Sequence, residues 1–278
     1  MIDLEIKPIL ESKPDNPSNE AVAGPDLTEN TTDNVSDNDE TNTANQLEEE
    51  KENTTVAEAH DVIVVKNVDI YQKKILILSD VSFSVKQGEM LYVIGKTGSG
   101  KSNLLKILYG EVPIRNGELT VAGFNMLKIK SKNIQRLRRK LGIVFQDFQL
   151  LYDRSIYENL KFITKVTGWK DRIKRDERIE EVLNLVGLKT KGHKMPHQLS
   201  GGEQQRICIA RALVNNPEII LADEPTGNLD PDTSLEIVKL FHEISKKGTS
   251  VIIATHNYNI INQIPSRLLR IEQGKVIE

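Results

Sequence analysis

The eight residues Gly95–Ser102, "GKTGSGKS", constrain this chain more than any other stretch. They follow the apolar run "MLYVI" and precede "NLLKILYG", a strand–loop–helix order. Gly95, Gly100, Lys101 and Ser102 meet the spacing G-x-x-x-x-G-K-[ST]. Glycines let successive backbone N–H groups converge on one anion without Cβ clashes, and the helix that follows points its positive end at the same place. Lys96, Thr97, Gly98 and Ser99 complete the loop. Lys101 adds a full charge for the β- and γ-phosphates of a nucleotide, and the Ser102 hydroxyl can ligate Mg²⁺. A glycine turn without a ligand is the alternative. The strand, loop, lysine and helix standing in this order favour phosphate.

Such a loop needs a metal-binding carboxylate at the end of a neighbouring strand. "IILADEP" supplies an apolar run and then Asp223 and Glu224. Buried strands of parallel sheets read this way, and ligand sites lie at their carboxyl ends. Asp223 is expected to hold Mg²⁺, and Glu224 to orient or deprotonate an attacking water. A second stretch, "LSGGEQQR", places Ser200, Gly201, Gly202 and Glu203 at a helix start. Free N–H groups, a hydroxyl and the helix dipole make a second anion site there, although alone it reads equally as a cap without ligand.

Composition divides the chain unevenly. Residues 1–60 hold 16 acidic and 3 basic side chains and no Phe, Trp or Tyr, a balance of −13; with the 278-residue chain at −3, the remainder carries +10. That first stretch cannot bury enough apolar surface to order itself, so it is expected to be a disordered acidic tail. From Asp61 the pattern alternates strands with helices, which implies an α/β layered core with a largely parallel sheet; a mainly helical insertion is expected over about 147–197. No further domain is expected after Glu278. Cys208 is the only cysteine, so an internal disulfide is excluded, and its helical surroundings read as core. No run reaches the roughly 18 apolar residues of a membrane span, and the N-terminus lacks a basic signal region, so a cytoplasmic chain is expected.

With two phosphate-binding helix tips in one chain, residues 61–278 resemble the nucleotide-binding domains of ABC ATPases. The resemblance implies a P-loop α/β fold with a mixed sheet and a helical subdomain. It also implies ATP and Mg²⁺ as cofactors and hydrolysis of ATP to ADP and phosphate. Assembly would be a homodimer closing head to tail on ATP, with "LSGGEQ" of one subunit over the loop of the other. By the same resemblance Tyr71 stacks on adenine, Asn103 follows the loop within reach of the α-phosphate, Gln146 senses Mg²⁺ and water, Asp230 links the two sites, and His256 contacts the γ-phosphate. Lys101, Gln146, Glu224 and His256 are then the catalytic set, and Ser102, Gln146 and Asp223 the metal set.

The middle segment "VFQDFQLLYDRSIYENL" is similar to that of the ATPases of cell-division FtsEX complexes. This implies an integral membrane partner of the FtsX type and a place on the cytoplasmic face of the inner membrane. Tyr152 stands where that pattern has proline, and Asn103 where it has threonine. Exporters of lipoproteins or macrolides share "ILADEPTGNLDP" and form the nearest rival reading. A DNA-associated ABC ATPase would match the basic body and "RLRRK", but the chain lacks coiled-coil heptads and cysteine clusters, so no nucleic-acid partner is expected. A non-catalytic scaffold conflicts with intact Glu224 and His256.

Overall fold

The computed structural model describes residues 60–278. The expectation of an acidic tail therefore lies, His60 apart, outside the described residues. Two sheets organise the rest. Strands β1 (Asp61–Gln72) and β2 (Ile75–Lys86) form a hairpin, and β4 (Glu118–Val121) with the short β5 (Phe124–Asn125) extends it in the order β2-β1-β4-β5, all antiparallel. The second sheet runs β10-β9-β3-β8-β7-β6. It comprises β3 (Met90–Ile94), β6 (Leu141–Val144), β7 (Ile219–Asp223), β8 (Ser250–Thr255) and β9 (Arg267–Glu272), which are mutually parallel, and an antiparallel edge strand, β10 (Lys275–Ile277).

The alternation of strand and helix implies one largely parallel sheet, and the structure refines this. The strands from "DVIVVKNVDI" and "GELTVAG" leave that sheet and build the antiparallel one. The physical reason is local: Lys73 and Lys74 are the only residues between β1 and β2, and so short a link permits only a hairpin.

Seven helices complete the described fold: α1 (Lys101–Leu108), α2 (Ser131–Arg139), α3 (Ile156–Val166), α4 (Arg172–Leu185), α5 (Gly201–Leu213), α6 (Pro231–Lys246) and α7 (Tyr258–Gln263). Between Gln146 and Ser200 the chain forms α3, α4 and two 3₁₀ turns, with no strand. Helix α7 carries no sequence signature, because six residues are too few to display a period.

All five residues of β3 are buried, so the strand is covered on both faces. Met90, Tyr92 and Ile94 pack into one core with residues of α3, α4, α5, α6 and α7. Leu91 and Val93 pack into another with α1, β1, β2 and β4. The period-2 alternation of a strand thus assigns successive residues of "MLYVI" to different cores. At about 25 cal/mol per Å² of apolar surface, such double-sided burial fixes the strand, and with it the root of the loop that follows. Tyr92 brings a hydroxyl into its core and donates it to the Ile264 carbonyl at 3.0 Å; burial pushes that phenol up to about 12.

Candidate active site

The loop Gly95–Gly100 joins the end of β3 to α1. Gly100 has φ 113°, and a Cβ there would stand 3.0 Å from Ile77 Cγ2 and 3.1 Å from Leu78, so the position needs glycine for both conformation and space. Lys101, buried although charged, folds back so that its ammonium donates to the Gly95 carbonyl at 2.9 Å and lies 3.2 Å from Glu224 Oε1. The other Glu224 oxygen, Oε2, is 2.9 Å from His256 Nδ1 and 3.3 Å from the His256 backbone N–H. Lys101, Glu224 and His256 come from α1, the end of β7 and the end of β8. Adjacent parallel strands bring them together, since all deliver their carboxyl ends to the same edge.

Glu224 has φ 47°, the left-handed region, where a residue with a Cβ is strained by about 1–3 kcal/mol. Its N–H is nonetheless paired with the Ala254 carbonyl at 2.8 Å, so β8 holds the strained residue in register. Asp223, one residue earlier, has its carboxyl pushed upward by burial. Glu224 beside it pushes the same way, while the Ser102 hydroxyl and Lys101 pull it back. Its Oδ1 is buried with no hydrogen-bond partner, and so is the Ser99 hydroxyl. Buried polar atoms are rarely left alone. The Asp223 carboxylate together with the Ser102 hydroxyl acting on it is a donor set that suits a divalent cation.

Gln146 follows β6 and is exposed. Its side-chain amide lies against Gly227, where a Cβ would stand 3.0 Å from Gln146 Nε2, and its carbonyl accepts from the Asn228 amide at 3.2 Å. It therefore sits beside the turn that follows Glu224. Lys96, Thr97 and Gly98 are exposed along a cleft of about 700 Å³ that is also walled by Leu76, Ile77 and the β9–β10 turn. Asn103 is half-buried in the first turn of α1. Tyr71 does not line this cleft; it is half-buried on β1 opposite Leu76, which does.

The serine-glycine pair sits elsewhere. Ser200 caps α5: its hydroxyl accepts from the Glu203 N–H at 3.2 Å, and the Glu203 carboxylate accepts from the Ser200 N–H at 2.9 Å. The Ser200 N–H and the nearby Lys191 hold the Glu203 carboxyl below its ordinary range. Gly202 packs directly on α6, since a Cβ there would fall 2.5 Å from Thr233 Cγ2. Asp230 caps α6 by accepting from the Thr233 N–H at 3.0 Å, so Thr233 connects Asp230 with the tip of α5. Among the described residues, no hydrogen bond or ion pair joins Ser200, Gly201, Gly202 or Glu203 to the loop of the same chain.

Some supporting residues escape sequence reasoning. Phe148 and Gln149 have φ 55° and 51°, a strained turn just after Gln146. Arg211 of α5 holds it, donating to the Phe148 carbonyl at 2.9 Å and to the Gln149 carbonyl, while the Cys208 thiol contacts the Phe148 carbonyl at 3.1 Å. Cys208 and Arg211 lie three apart, on one helix face, which is the only sequence signal for the pair. Asn159 is buried at 2% exposure. It accepts from the Leu151 N–H at 2.8 Å and donates to the Leu151 and Ser155 carbonyls at 3.0 and 2.9 Å, tying the 151–155 stretch to α3.

The family model described as ABC transporter matches residues 78–227. The chain is 52% identical over 201 residues to the cell division ATP-binding protein FtsE of Streptococcus pneumoniae (serotype 2), covering 72% of this chain and 86% of that protein. It is 44% identical over 207 residues to FtsE of Bacillus subtilis, covering 74% and 90%. Among solved structures it is similar to the dimeric post-hydrolysis state of the ATP-binding cassette MJ0796 bound to ADP and Pi. That match has a TM-score of 0.68 at 32% identity over 78% of this chain and 97% of that one.

Proposed function

Because this chain belongs to the ABC transporter family, we propose that it is the ATP-hydrolysing subunit of an FtsE-like cell-division complex whose membrane component is of the FtsX type. Residues 61–278 form the cassette, and 147–197 its helical subdomain. No helix among the described residues is long and apolar enough to cross a membrane; in this reading the FtsX-type partner holds the chain at the cytoplasmic face.

The observation that carries the catalytic part is the Lys101–Glu224–His256 cluster at the phosphate loop. The Lys101 ammonium, 3.2 Å from Glu224 Oε1, neutralises that carboxylate. ATP seated on the loop amides offers that ammonium the β- and γ-phosphates instead, and Glu224 is released to take a proton from the attacking water. His256, already bonded to Glu224, steadies the carboxylate and reaches the γ-phosphate. Ser102, Asp223 and Gln146 would hold Mg²⁺, which when bound supplies charge neutralisation for the phosphates. The unpaired Asp223 oxygen and the Ser102 hydroxyl support that set. Tyr71 stacks on adenine, and Asn103 donates to the α-phosphate. Ser200, Gly201, Gly202 and Glu203 close on the ATP of a second copy, with Asp230 between the sites. Within one chain Gly201 faces Leu229 and Gly202 faces Thr233, and the closing contact comes from the second copy of a head-to-tail homodimer.

Phosphate release by the purified chain, compared with Glu224→Gln, tests the base. The variant should lose turnover and accumulate ATP-bound dimers; normal turnover would refute the assignment. Membrane pull-down with the intact chain tests the partner, and recovery of an importer or exporter permease in place of an FtsX-type protein would overturn the cell-division reading.

A further inference from the structure

The structure assigns Arg115 to the nucleobase subsite as the positioning residue for Tyr71, an inference that rests on the reading of Tyr71 as the adenine-stacking residue. Arg115 lies in the link between α1 and β4, remote in sequence from both the phosphate loop and Tyr71. Its guanidinium nevertheless sits over the Tyr71 ring, 4.8 Å from the centroid. The same group donates to the Lys73 carbonyl at 2.7 Å, in the two-residue turn between β1 and β2. One side chain thus grips both the ring and the turn immediately beyond it.

Arg115 is itself held in place by its neighbour. The Asn116 side chain accepts from the Asp69 N–H at 3.2 Å and donates to the Asp69 carboxylate at 3.0 Å, pinning the link to β1 two residues before Tyr71. Arg115 is exposed and has no ion pair among the described residues. Its charge is therefore directed at the ring and the carbonyl. Lysine would not substitute, because only the planar fork can lie on a ring and reach a carbonyl together.

The hairpin tip needs such a brace. Gln72, Lys73, Lys74, Ile75 and Leu76 are all exposed, and Lys73 adopts φ 57°. Ordering an exposed turn and the ring beside it costs conformational entropy, and contacts that already hold them spare a stacking base that cost. With the guanidinium covering one face of the ring, a base stacks on the face that remains. The result is a layered arrangement of cation, ring and base, whose first two layers are the 4.8 Å contact of Arg115 with Tyr71. Phosphate contacts are made by a separate loop, so Arg115 acts on the base and not on the anion.

The test uses the full chain and two probes, ATP and inorganic tripolyphosphate, with Arg115→Ala, Arg115→Lys, Tyr71→Ala and the double alanine variant. Arg115→Ala should weaken ATP binding roughly two- to fivefold, raising KM with kcat unchanged, and leave tripolyphosphate binding unaltered. Arg115→Lys should recover only part of the loss. In the Tyr71→Ala background, Arg115→Ala should cost nothing more. Equal weakening of both probes would make Arg115 a general anion attractor and overturn the inference. Unchanged ATP binding in Arg115→Ala, with a loss in Tyr71→Ala, would overturn it while the Tyr71 assignment stands. Unchanged ATP binding in Tyr71→Ala would remove the stacking reading itself. Tripolyphosphate binding also reports that each variant is folded.

Discussion

Gly202→Ala tests how tightly the tip of α5 is seated on α6. The new Cβ would lie 2.5 Å from Thr233 Cγ2, well inside the contact distance of two carbons. Threonine is branched at Cβ and has few rotamers to retreat into. Turning its methyl away also moves the Thr233 hydroxyl, which with the Thr233 N–H helps hold the Asp230 carboxyl below its ordinary range. Overpacking of this kind costs about 1–3 kcal/mol. Alanine returns up to about 1 kcal/mol through better helix propensity, less in a first turn. The net destabilisation should be about 1–2 kcal/mol, lowering Tm by roughly 2–8 °C in a domain of this size. Thr233→Ser removes the offending methyl and keeps the hydroxyl. Alone it should cost about 0.8 kcal/mol for the lost carbon, yet in the Gly202→Ala background it should restore most of the loss. Urea unfolding of the four proteins in the cycle gives the coupling directly. Additive effects, or a Gly202→Ala protein as stable as the parent, would refute the packing argument and leave Gly202 to be explained by ligand approach alone.

Arg211→Ala should destabilise the chain by about 2 kcal/mol in urea unfolding, because two backbone carbonyls in a strained turn lose a charged donor; Arg211→Lys should recover only part. Cys208, whose thiol burial pushes up to about 12, should resist alkylation in the native state and react fully in denaturant, as mass spectrometry would register. Because Glu203 is held below its ordinary value near 4.5, its contribution is complete above that value and lost as pH falls through the lowered one. Glu203→Gln should accordingly narrow the difference in melting temperature between neutral and acidic buffer.

The candidate site was legible because the chemistry proposed for it needs particular residues at short, fixed spacing: a glycine-rich turn before Lys101, and two carboxylates after an apolar strand. The strands were legible from β-branched runs, and the helix bearing Ser200 from its cap. The sheet assignment was legible only in part, since which strand joins which sheet depends on links as brief as Lys73–Lys74. Tertiary supports were not legible. Asn159 gives no sign of being buried, Arg211 reads as one more charge on a helix, and Thr233 looks like any first-turn residue. Each acts through atoms far away in sequence, and no local pattern encodes such contacts.

The strand that carries the phosphate loop is a party wall between two rooms. Slackening the furniture on either side should tilt the same doorway. Temperature-sensitive variants ought therefore to arise from lesions in both halves of the molecule, far from any nucleotide. Their shared symptom should be failing ATP capture at temperatures where the chain still holds its shape.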